Sequence, residues 1–168
     1  MMLAIAVLAG VGLAACQRQA TRAGELQAKA LFQSTQCGYT GRLPVAAWIT
    51  TPFELHQLFQ RLGRSEVGGS TNPPEVDFAR NAVLLVEMGQ QSTSGYGLEL
   101  LQESVPVDHD TATVTLSWRR PLPGTITAQV LTSPCLLVGL PRDHYSAIQI
   151  LDQASQPRLT LPLERHAR

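Results

Sequence analysis

The sequence predicts a mainly β, α+β domain: an antiparallel β-sandwich-like body of about seven or eight strands with one N-terminal helix. Three observations carry that expectation. Apolar runs are short and are separated by Pro and Gly, a pattern of many strands rather than long helices. The stretch Asn81 to Glu103 holds a wholly apolar run, Ala82-Val83-Leu84-Leu85-Val86, then Gly89, a polar loop and an alternating segment, in the order strand, loop, strand. A single segment, after Ile49, carries several independent helix-start signals.

In chain order, Val45 to Ile49 reads as the first strand. Thr51 then suits a helix N-cap, Pro52 the first helical position, and Glu54 the far side of a capping box. Leu55, Leu58, Phe59 and Leu62 fall on one helical stripe, with Gly63 placed to end it and His56 on the solvated side. Residues 64–74 are a Gly/Ser/Pro loop. Asp77 caps a turn before the apolar strand, and Phe78 packs inward. Tyr96, Leu98 and Leu100 share one face of the following strand. Glycines 95 and 97 around Tyr96 permit positive φ and close approach of another chain segment.

Thr113 to Trp118 alternates strictly and is expected to be half-buried and antiparallel. A proline-stiffened turn at Arg119 to Gly124 leads to a second alternating stretch, Thr125 to Val130, expected as another strand. Leu136 to Leu140, Ala147 to Leu151 and Leu159 to Leu163 supply the last three.

Three parts are expected: a signal peptide over 1–15, a polar tether over 16–35, partly helical in one reading, and a β-rich domain over 36–168. Met1 to Ala15 is apolar almost throughout and has the length of a secretory core. It ends Leu13-Ala14-Ala15-Cys16, a leucine and two small residues before a cysteine, which resembles the bacterial lipobox. That resemblance implies cleavage before Cys16 and its acylation by diacylglycerol and palmitate-type chains, which anchor the protein in a membrane. A plain signal or a short anchor helix is the alternative, and no Lys or Arg stands before Leu3. Gln17 after the cysteine, rather than aspartate, leans the expected location to the outer membrane, facing the periplasm. Arg18, Arg22 and Lys29 lie in the tether as solvated charges or as neighbours of lipid headgroups.

With Cys16 set aside, Cys37 and Cys135 form an even pair in an oxidising compartment, and a disulfide is the simplest reading. A buried free pair and a catalytic thiol are the alternatives, the latter with His144 as partner.

Thirteen basic residues balance thirteen acidic ones, so nothing marks a nucleic-acid partner. His56, His109, His144 and His166 lack metal-ligand spacing, and no metal or cofactor is expected. Asp108-His109-Asp110 reads as an exposed turn. No nucleophile elbow, phosphate loop or dinucleotide fingerprint appears, so the expected protein is not an enzyme. An unrecognised envelope hydrolase is the reading this leaves least supported.

Recognition is instead expected on two strand connections. One comprises Gln90, Gln91, Ser92, Thr93, Ser94, Gly95 and Tyr96; the other runs from Trp118, Arg119 and Arg120 to Gly124. Equally, Tyr96 can be a core anchor and the arginines a solvated rim.

Several of these residues carry a family resemblance. The strand and helix of Ile49 to Leu62, Val76-Asp77-Phe78 before the apolar strand, Gly89 through Gly95-Tyr96, Pro123-Gly124 and Thr132-Ser133-Pro134 follow one pattern. Over Ile49 to Leu151 the chain resembles the C-terminal domain of the PrcB family, accessory subunits of a bacterial surface protease complex. Ser94 stands where that family has glycine. The resemblance implies a non-catalytic, lipid-anchored subunit that binds and stabilises an envelope protein, in the named case a protease. Separately, Gln91 to Tyr96 resembles the Asn-Pro-Thr-Thr-Gly-Tyr loop of chagasin-type cysteine peptidase inhibitors, without its asparagine and proline. That family's Arg-Pro-Trp loop would fall at Trp118-Arg119-Arg120-Pro121, in a different order.

Overall fold

The computed structural model describes residues 24–63 and 72–164. The signal peptide, Cys16, most of the Gly/Ser/Pro loop and His166 lie outside the described residues. Among those described are ten strands and one helix: β1 (Gly24–Gln27), β2 (Lys29–Ser34), β3 (Val45–Ile49), α1 (Pro52–Gly63), β4 (Asn81–Glu87), β5 (Gly97–Leu100), β6 (Ser104–Asp108), β7 (Thr111–Arg119), β8 (Cys135–Pro141), β9 (Ala147–Leu151) and β10 (Pro157–Pro162).

These form two sheets and an outer helical layer. One sheet runs β2-β8-β4-β3 and is antiparallel throughout; the other runs β1-β6-β7-β9-β10, with β5 paired to the C-terminal half of β7. Leu84, Val86, Leu136, Val138 and Leu140 point from the four-stranded sheet into the space between the sheets. There they meet Val114, Leu116, Trp118, Ile148 and Ile150 of the six-stranded sheet. The opposite faces of β4 and β8, carrying Val83, Leu85 and Leu137, pack under Leu55, Leu58, Phe59 and Leu62 of α1. This explains why β4 is apolar without alternation: both of its faces are covered.

The helix begins as its sequence requires. Glu54 N–H donates to Thr51 Oγ1 at 3.2 Å, and Thr51 N–H donates back to Glu54 Oε2 at 3.2 Å. Each fully buried leucine or phenylalanine of its stripe is worth roughly 1.5–3 kcal/mol of apolar burial.

Three expectations need correction, and one strand was not foreseen. Residues 24–34, placed in the tether, are strands: β1 pairs with β6 and β2 with β8, so the folded body starts at least as early as Gly24. Their polar side chains face outward while Leu26 and Ala28 are buried, and a short edge strand needs no more apolar signal than that. The alternating stretch 125–130 is not a strand, and Ile126 is 99% exposed. In its place β6 is a strand; its Pro106 sits opposite Glu25 of β1, and only Val107 and Asp108 pair with β7. Finally, β7 and β9 are parallel, because the chain crosses to the other sheet as β8 before returning.

The remaining turn follows its chemistry. His109 and Asp110 take φ of 45° and 60° in the tight β6–β7 hairpin, the conformation that a two-residue connection of this twist demands. His109 Nδ1 lies 2.8 Å from Asp108 Oδ2 on the exposed tip.

Candidate partner-binding face

Both nominated loops lie at one end of the sandwich, where β4, β7 and β9 finish and β5 and β8 begin. Leaving β4, the chain turns at Gly89 with φ 83°, where a Cβ would stand 2.4 Å from the Arg42 carbonyl oxygen, so glycine is required twice over. Gln90 N–H then donates to Gly41 O at 2.8 Å, which ties in the segment before β3.

The first loop is laced to residues 128–132, on the chain that continues past the second. Gln91 and Thr132 exchange backbone hydrogen bonds of 2.8 and 2.9 Å, and Thr132 Oγ1 donates to Thr93 O at 3.1 Å. Ser94 N–H donates to Ala128 O at 3.0 Å, and Ala128 N–H donates to Ser94 Oγ at 3.1 Å. The second of these bonds, to the Ser94 hydroxyl, is one that a glycine would lack. Gly95, with φ 94°, lets Pro121 close to 3.0 Å of where a Cβ would be, and the Arg119 guanidinium lies over Gly97. These contacts account for the failed strand: residues 125–130 bond to the neighbouring loop at isolated points instead of entering a ladder.

Cys37 and Cys135 form a disulfide, 98 residues apart, at the base of this loop cluster. Both are fully buried. Cys37 N–H and Gly38 N–H donate to the backbone and side-chain oxygens of Ser133 at 2.9 and 2.8 Å, so the bridge fixes the returning limb of the long loop. With both sulfurs bonded to each other, the thiol–His144 alternative is overturned; His144 sits beside Tyr145 at the other end of the sandwich.

The nominated residues divide by burial. Trp118 is 4% exposed and belongs to the core, with its edge lining a cavity of about 350 Å³. Tyr96 is half-buried; it packs against the same core and lines the same cavity. Arg120 lines it too, whereas Arg119 is turned toward Gly97. Arg42 and Arg158, which the sequence did not single out, complete its rim. Arg158 lies 5.8 Å over the Trp118 ring and donates through Nε to Asp152 Oδ2 at 2.8 Å. The long loop that follows Arg120 exposes Leu122 (76%), Ile126 (99%) and Leu131 (61%).

Two carboxylates hold this end rigid. Burial raises the Glu87 carboxyl, and the Arg61 guanidinium at 2.8 Å pulls it partly back down. Asp152 is the reverse case. The Gln156 N–H first, then the Ala154 N–H and Arg158, hold its carboxyl below the ordinary 3.8, against the opposing effect of burial. A depressed carboxyl stabilises the fold fully above its unfolded value and loses that contribution as pH falls through the folded one. Asp152→Asn is therefore expected to melt below the wild type near neutral pH, with the gap closing below about pH 4; melting curves at stepped pH measure it.

At the far end a larger cavity, about 600 Å³, is lined by Trp48, Arg142, Asp143, His144 and Tyr145. Burial first, then Asp143, raises the Tyr145 hydroxyl, which donates to Pro141 O at 2.7 Å. Among the described residues no group of three or more His, Cys, Asp or Glu side chains is placed to hold a metal ion.

The stretch from β4 through β8, which carries both loops, decides the relationship. Residues 82–141 match the PrcB C-terminal family model. No curated protein and no solved structure matches the chain. The family resemblance read from the sequence is thus supported, over a narrower span than Ile49 to Leu151. The PrcB C-terminal match includes Gln91, Tyr96, Trp118, Arg120 and Cys135; Cys37, Arg42 and Arg158 lie outside it. Half of the disulfide and two cationic walls of the cavity are therefore contributed by flanking sequence.

Proposed function

We propose that the protein is a non-catalytic, lipid-anchored envelope protein whose PrcB-like domain binds and stabilises a partner protein, with a protease the partner class that the family resemblance brings forward. The observation that supports this most is the laced loop face: rigid at its base and apolar at its tip. Exposed aliphatic side chains on one loop that leads out of an arginine-rimmed cavity are what a recognition surface presents. The membrane attachment rests on the lipobox-like Leu13 to Cys16, and the periplasmic, outer-membrane location on Gln17.

The chain has a single lysine, Lys29, so amine-reactive reagents would sample one spot far from this face. A photo-crosslinking residue is placed instead at Ile126, with a second version at Asp143 at the opposite end, and membranes are irradiated. Adducts with a protein from Ile126 and not from Asp143 are expected. Equal adducts from both positions, or none, would reject the reading. The chagasin-like alternative takes the same two loops as inhibitory; inhibition of a papain-like peptidase by the purified chain is its test. The buried Trp118 weighs against it, since that side chain is not free to enter a cleft.

A further inference from the structure

We infer that the cavity between the two loops and β10 is a carboxylate-binding pocket, made to receive an acidic peptide segment of the bound protein. The inference rests on the partner-binding reading and adds the chemistry of what is bound. Arg42, Arg120 and Arg158 all line the cavity, and no Asp or Glu does. Asp152 neutralises Arg158 from behind; among the described residues neither Arg42 nor Arg120 has a carboxylate partner. Two arginines without a carboxylate partner among the described residues therefore line one space. Arginine's planar fork matches a carboxylate with two parallel hydrogen bonds, which a point charge does not.

The remaining walls fit a peptide rather than an inorganic anion. Half-buried Tyr96 supplies apolar ring surface, with Pro44, Met88 and Pro157 beside it, and about 350 Å³ lies at the small end of ligand pockets. Leu122, Ile126 and Leu131 stand exposed on the loop that follows Arg120, available to apolar residues beside the acidic one. A lipid surface would also supply anions and apolar contacts, but the chain's path disfavours it. Gly24 pairs with Val107, and Val107 with Ala112 near the start of β7, so the chain enters at the end opposite the pocket. The nine residues of β7 set that separation at roughly 26 Å. A membrane anchor before Gly24 would thus attach at the end of the sandwich opposite the pocket.

The test uses the folded, oxidised protein and a random heptapeptide library with both free and amidated C-termini. Enrichment of Asp, Glu or a free terminal carboxylate beside aliphatic residues is expected, with affinity falling as salt rises. The double variant Arg42→Glu/Arg120→Glu should weaken an enriched acidic peptide at least tenfold and shift the library's preference to Lys and Arg. Its melting temperature should stay near the wild type's, because both side chains are exposed. Enrichment without charge preference, an unchanged preference in the double variant, or binding to phosphatidylglycerol vesicles in place of peptides would overturn the inference. If Ile126 still crosslinks a protein in the double variant as well as in wild type, the carboxylate pocket fails and the partner-binding reading stands. Loss of those adducts in the double variant alone supports both.

Discussion

Replacing Cys37 and Cys135 together with alanine is expected to lower the unfolding free energy by about 3–5 kcal/mol. The bridge spans 98 residues, so the loop it closes is most of the folded body, and the entropy it removes from the unfolded chain is correspondingly large. A loss of that size corresponds to a fall in melting temperature of roughly 10–20 °C for a domain of this length. Calorimetry of the double variant measures it, and reduction of the wild-type protein should reproduce the result. A drop under about 1 kcal/mol would mean that the β2–β8 ladder, which pairs Ser34 with Cys135, already restrains the same segment in the unfolded ensemble. The loop face should suffer before the core does. Ser133 holds Cys37 and Gly38 through two hydrogen bonds, so amide exchange in residues 128–134 is expected to quicken ahead of global unfolding.

Leu84→Ala is expected to cost about 3–5 kcal/mol, the range for a large-to-small change where the surroundings do not collapse. Leu84 is fully buried at the centre of β4, between Trp48 of β3 and Val138 of β8, and points into the space between the sheets. Because α1 covers the other face of β4, the strand is held on both sides and has little freedom to move into the void. Ile126→Ala is the matching contrast. At 99% exposure it should alter stability by less than about 0.5 kcal/mol. Chemical denaturation of both variants gives the comparison, and near-equal values would contradict the layering of β4 between helix and sheet.

Local signals brought out much of this architecture, and where they were silent the reason is physical. The capping box of Thr51 and Glu54, the apolar stripe of α1 and the continuous run of β4 are properties of neighbours in sequence, so they could be read directly. β1 and β2 could not, because an edge strand buries one face lightly and looks like a polar linker; what makes each a strand is a distant partner, β6 or β8. Thr125 to Val130 erred in the other direction. Its alternation is as regular as that of β7, but β5 takes one side of the last residues of β7, and on the other side the Trp118 N–H is taken by Gln153 Oε1. Of the candidate site, Gly95, Tyr96 and Arg120 stood out through loop composition. Arg42 and Arg158 did not, since each reaches the cavity from a segment whose own sequence resembles ordinary surface.

The placement of β1 and β2 matters for anyone preparing this protein. They border different sheets, β1 flanking β6 and β2 flanking β8. A chain trimmed to begin at residue 36, where composition changes, would strip a border from each sheet at once and leave two rows of amides and carbonyls bare. Bare rows of that kind recruit strands from other molecules. Such a trimmed protein would reach the test tube as a self-associating species, and its failure to capture anything would say nothing about the native surface.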